Sequence, residues 1–228
     1  AGVANTDGPE NTFVGYRAGA VNTTGDRNTM VGNNAYNNAD AENDNTGVGR
    51  AALGGAVNGG EYNVAIGNYS LDALTSADNC VAIGYGAGST LTTAASSTCV
   101  GQNAGNAITT ADNNCVLGKD SGVAITTGAN NTFLGTYAGN RLDDGTGNVC
   151  VGYDVDTDAT DSSNAIALGY AIQAASNDFS FGKSSNVVTN DFDADADWSR
   201  SSDLRLKRNI QDSTLGLDFI NDLRPIRF

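Results

Sequence analysis

Ten glycines recur along this chain at an almost fixed interval, and that regularity restricts the folds open to it. Gly15, Gly32, Gly49, Gly67, Gly84, Gly101, Gly118, Gly135, Gly152 and Gly169 close segments such as NTFVG, NVAIG and NCVLG, 17 residues apart except for one step of 18. A weaker copy, DFSFG, ends at Gly182 after a step of 13. Leu, Val, Ile and Phe together supply only 45 of 228 residues, near the level at which a charged chain stays disordered. Disorder has no reason to keep register, so the few apolar residues are expected to stack, each repeat forming one coil of an all-β solenoid.

The residue before each glycine is always large and apolar: Val14, Val31, Val48, Ile66, Ile83, Val100, Leu117, Leu134, Val151 and Leu168. Three before it stand mostly β-branched residues, such as Thr12, Thr29, Val64 and Val81. These two positions share one face of a short strand, and the row before the glycine is expected to be the core. The position between them, which includes Phe13, Met30, Gly47, Val116 and Phe133, is mixed in size and is expected to face solvent or a partner chain. Small residues three after the glycine, such as Ala18 and Ala35, and polar loops such as VNTTGDR complete each coil. Asn11, Asn28, Asn45, Asn63, Asn114, Asn131 and Asn148 stand four before their glycines. They form either an amide ladder between coils or tolerant entries to a turn.

A 17-residue coil encloses little. A lone rod would leave its outward apolar row wet and its end strands unpaired. Identical rods packed about a common axis relieve both problems, so a homotrimer is expected. The formal charge is −14, divided as −16 over residues 1–199 and +2 over 200–228. Such an acidic body repels nucleic acid and anionic lipid. The sequence holds no apolar run of membrane-spanning length, so no membrane insertion is expected. Without any His, His-based triads and His-ligated metals are excluded, and neither a cofactor nor a metal site is expected.

The units NVAIG, NCVAIG and NTFVGYRAG resemble the head repeats of trimeric YadA-like adhesins and the similar repeats of phage tail fibres. That resemblance covers residues 11 to about 186. It implies left-handed β-rolls, three to a trimer, in a virion or extracellular appendage that attaches to a host-surface receptor, glycan or protein. The chain divides into a lead-in at 1–10, the repeats at 11–186, a linker at 187–202 and a tail at 203–228.

Four cysteines fall on the repeat grid, Cys80, Cys99, Cys115 and Cys150, and read as free thiols filling small apolar positions. DVDTDATD places Asp154, Asp156, Asp158 and Asp161 at alternating spacing but has Ala159 where a calcium loop needs glycine. It reads as a solvated acidic loop, as does DFDADAD at 191–197.

The tail places Leu217, Ile220 and Leu223 at helical intervals before Pro225. Ser202, Asp203, Arg205, Leu206, Lys207, Asn209 and Ile210, with Leu223, Arg224 and Pro225, resemble the start of the C-terminal intramolecular chaperone of endosialidases and related tail spikes. The resemblance implies self-cleavage between Ser202 and Asp203 with Lys207 as base, its amine pKa lowered by neighbouring cations such as Arg205 and Arg208. The plainer alternative is a charged, capped entry to a helix. The tail is expected to stay intact here, and turnover of an external substrate is not expected. The function expected is a trimeric phage tail fibre segment for attachment. The alternatives are a bacterial adhesin head and, in another class, a glycan-degrading tail spike. Ice binding is disfavoured because the Thr row shares the face assigned to the core.

Overall fold

The computed structural model of the chain describes residues 1–194. It is all-β among these residues, a parallel solenoid whose coils follow the glycine repeat. Eight strands of three residues carry the first coils: β1 (Thr12–Val14), β2 (Thr29–Val31), β3 (Thr46–Val48), β4 (Val64–Ile66), β5 (Val81–Ile83), β6 (Thr98–Val100), β7 (Cys115–Leu117) and β8 (Thr132–Leu134). Longer pieces follow: β9 (Val149–Tyr153), β10 (Asp156–Thr157), β11 (Ile166–Tyr170), β12 (Gln173–Ala174), β13 (Asp178–Lys183) and β14 (Asn186–Asp191).

Each of β1 to β8 pairs in parallel with the next, β11 and β13 continue the stack beyond β9, and β10 pairs with β12 in a small second sheet, so the repeat position in sequence is the register in space. Strand β14 then runs antiparallel to β13 and ends the twelve-stranded sheet. Residues 187–191, expected in a linker, therefore belong to this closing hairpin. The expected lead-in also belongs to the solenoid, since the Gly2 N–H donates to Ala18 C=O at 2.8 Å and the Thr6 N–H to Thr23 C=O at 3.1 Å. The coil from Gly49 to Gly67 absorbs its extra residue early, because the Asn58 N–H already bonds to Thr75 C=O at the ordinary offset.

The glycine column has a steric cause. A Cβ on Gly84 would lie 2.3 Å from the Gly101 carbonyl oxygen of the next coil, and Gly84 has φ of +140°. Backbone meets backbone here, with no room for a side chain and a conformation that L-residues avoid.

The face assignment is the reverse of the sequence expectation. The central row points inward, with Met30, Val116 and Phe133 fully buried. The row expected as core points outward: Val14 is 54% exposed, Leu134 48% and Ile66 39%. Val48 and Ile83 are exposed as well, and Val31, Val100, Leu117, Val151 and Leu168 are half-buried. So narrow a coil accepts one inward side chain per three-residue strand, and that one is the middle residue. Mixed size in this row reflects packing rather than solvent, because in several coils a large or absent side chain is matched by the residue four after the glycine. Large Phe133 faces Gly139, where a Cβ would come within 2.2 Å of its ring, while absent bulk at Gly47 is matched by buried Leu53. This is ordinary interior complementarity. Ala18, Ala35 and their equivalents form a second buried column, and Leu74, Leu91, Ile108, Ile125 and Leu142 a third, supplied by the loops.

Candidate functional site

The outward face of the sheet is the largest chemical feature of the described residues. It presents two ranks along the rod. One is the Val, Ile and Leu row from Val14 to Leu168, joined by Phe181; the other runs through Thr12, Thr29, Val64, Val81, Thr98, Cys115, Thr132 and Val149. In-register pairing sets Leu117 beside Leu134 and Leu134 beside Val151, so the apolar groups form an unbroken stripe. Monomeric proteins seldom present such a continuous apolar surface to water. Near the end of the rod, Val151, Leu168, Phe179 and Phe181 line an open apolar groove of about 670 Å³.

Successive coils are tied together by a ladder of buried Asn side chains at the entry to each strand. Asn28 accepts the Asn45 N–H at 3.0 Å through Oδ1 and donates through Nδ2 to Glu42 C=O at 2.8 Å. Asn45 does the same to Asn63 N–H and Gly60 C=O, both at 2.9 Å. The expected ladder is thus present in a different form, since each amide bonds mainly to the backbone of the following coil. Cys80 occupies a ladder position, where its thiol donates to Ala94 C=O at 3.1 Å. It therefore replaces an amide and is more than a filler. All four cysteines are free thiols; Cys80, Cys99 and Cys150 are buried, and Cys115 is half-exposed on the outward face.

One corner of the rod carries aromatic and cationic side chains just after the glycines. Tyr153 and Tyr170 stack with ring centroids 5.3 Å apart, and the Arg50 guanidinium lies 5.3 Å from the Tyr69 ring centre. Sequence reading missed this ribbon, although Tyr16, Tyr85, Tyr153 and Tyr170 all follow anchor glycines directly.

The loop DVDTDATD is only partly solvated. Asp158 and Asp161 are exposed, but Asp156 is 2% exposed and its pKa is pushed up to about 6, chiefly by burial. Among the described residues no three His, Cys, Asp or Glu side chains converge as a metal site, and no helix is long and apolar enough to cross a membrane. Ser202, Asp203 and Lys207, with the helix expected near Leu217, lie outside the described residues, as does the second half of the DFDADAD run.

Comparison with protein-family models, with curated proteins and with solved structures returned no match to this chain.

Proposed function

We propose that the chain is a homotrimeric fibre segment, a rigid rod in a phage tail fibre or a comparable extracellular appendage, that works by reach and host-surface attachment. One observation carries this reading: the uniform, unbroken row of Val, Ile and Leu on the outward face. Chemical identity is repeated there coil after coil, whereas the interior tolerates Phe, Gly and Cys by local compensation. A face of constant composition suits packing against the same face of identical chains, and closed three-fold packing covers it without leaving a fresh edge. The resemblance to YadA-like and tail-fibre repeats supports the number three and the attachment role. A bacterial adhesin head is the neighbouring alternative, and a glycan-degrading tail spike a more distant one. The tail, whose Ser202, Asp203 and Lys207 resemble the self-cleaving start of such a chaperone, is proposed to stay intact in this chain.

A second reading has one observation in its favour. Burial inside the chain does not disfavour ice binding, because Thr12, Thr29 and Thr132 are exposed on the outward face. The trimer is preferred because the companion row is wholly large and apolar, and Val, Cys and Ile interrupt the Thr rank.

Gel electrophoresis in SDS with and without boiling tests the proposal. The unboiled chain is expected to migrate as a trimer that boiling collapses to the 23.2 kDa chain. A monomeric band in both lanes, together with thermal hysteresis in ice, favours the second reading.

A further inference from the structure

The column four residues after the anchor glycine is glycine or apolar over most of the rod, as at Leu71, Gly105 and Gly139, but becomes Asp156 and Gln173 in the last coils. These two pair in register between β10 and β12. A pocket of about 510 Å³ opens beside them, lined also by Asn140, Arg141, Asp154 and Ser184. That volume lies within the range of about 300–1,000 Å³ usual for small-molecule sites. Asp156 is 2% exposed. Its Oδ1 accepts the Thr157 N–H at 2.8 Å and the Arg141 backbone N–H also favours its charged form, while no side chain donates to Oδ2. A buried carboxylate to which no side chain donates is stabilised by a further hydroxyl donor brought to it, and the pocket gives a ligand access to that position.

We infer that this pocket binds a neutral saccharide of one or two rings, with a hydroxyl donating to Asp156 and neighbouring hydroxyls meeting Arg141, Asn140 and Gln173. The lining decides between ligand classes. A divalent cation would satisfy Asp154 and Asp156 but is repelled by Arg141; an anion would satisfy Arg141 but is repelled by the carboxylates. Adjacent sugar hydroxyls donate and accept at once, which matches a site holding a carboxylate, a guanidinium and two amides. Burial raises the Asp156 pKa, and the Thr157 backbone N–H, the Arg141 charge and the Arg141 backbone N–H counter it only in part, so a further donor stabilises the carboxylate. The inference rests on the attachment reading and narrows it to a ligand class.

The test uses the full chain on a printed array of neutral hexose and hexosamine disaccharides and sialylated trisaccharides, with light scattering on the same sample. Retention on neutral sugars is expected, falling at least about tenfold in Gln173→Ala, an exposed position, and in Asp156→Asn. Retention on none of the probes, or equal retention by both variants, overturns the inference. Retention abolished by a chelator and restored by calcium also overturns it, in favour of a cation site. Trimeric mass without sugar binding removes the pocket alone; sugar binding by a monomer removes the trimeric fibre and leaves the pocket standing.

Discussion

Asn131 Oδ1 accepts the backbone N–H of Asn148 at 2.9 Å, one coil further along the rod. Its Nδ2 donates to Gly145 C=O at 3.0 Å, so a single side chain satisfies a buried donor and a buried acceptor of the next floor. Asn131→Ala leaves both unpaired, and each such group costs about 1–3 kcal/mol. Urea unfolding is expected to show a loss of about 2–4 kcal/mol. A loss under about 1 kcal/mol would mean that the ladder does not hold the coils together.

Gly84→Ala probes the glycine column. The added methyl meets the Gly101 carbonyl oxygen at 2.3 Å in a left-handed conformation, and neither coil can move away without breaking the pairing of β5 with β6. A destabilisation of roughly 3 kcal/mol or more is expected in thermal melts. Gly59→Ala is the control: φ is again positive, but nothing lies within 4 Å, so its smaller loss isolates the steric part.

Asp156 gives a pH dependence of definite sign. Its folded pKa, near 6, lies above the ordinary carboxylate value, so the folded chain holds that proton more tightly than the unfolded one. Its destabilising effect is full above about pH 6 and fades as the pH falls toward about 4. Asp156→Asn is expected to be more stable than wild type at pH 8 by on the order of 2 kcal/mol, with the difference vanishing below about pH 4. A constant difference across that range would contradict this account of the buried carboxyl.

Thiol labelling separates interior from outward face. Burial pushes the Cys99 thiol up to about 12 and raises those of Cys80 and Cys150 as well, so all three are expected to be silent toward a disulfide reagent in native protein. Cys115 stands on the outward face. It is expected to be protected in the assembled trimer and to react after Leu134→Asp splits the trimer. Reaction of Cys99 or Cys150 ahead of Cys115 would contradict the assigned orientation.

Much of the architecture is legible in the spacing of residues. Gly15 to Gly169 fix the coil, its parallel register and the Asn ladder, because a position that recurs in sequence recurs in space when coils stack. Orientation was not legible. Val14 and Phe13 are both apolar, and only the pairing of Phe133 with Gly139, or of Gly47 with Leu53, reveals which row is enclosed. Those pairs are six residues apart across a corner, a relation that strand alternation does not contain. The third buried column, Leu74 to Leu142, was hidden because its members sit in loops that read as polar. The pocket at Asp156 was hidden for a related reason: alternating aspartates suggest solvent, whereas the turn that recurs two residues after each anchor glycine, at Asp154 with φ of +52°, sets Asp156 on the inward column.

The outward Val, Ile and Leu row decides the account, and its most direct test is the solution mass of the wild-type chain beside that of Leu134→Asp. Light scattering is expected to give three times 23.2 kDa for the wild type and a single chain for the variant, with the same β-type circular dichroism in both. A wild-type mass of one chain would contradict the assembly and the fibre function built on it.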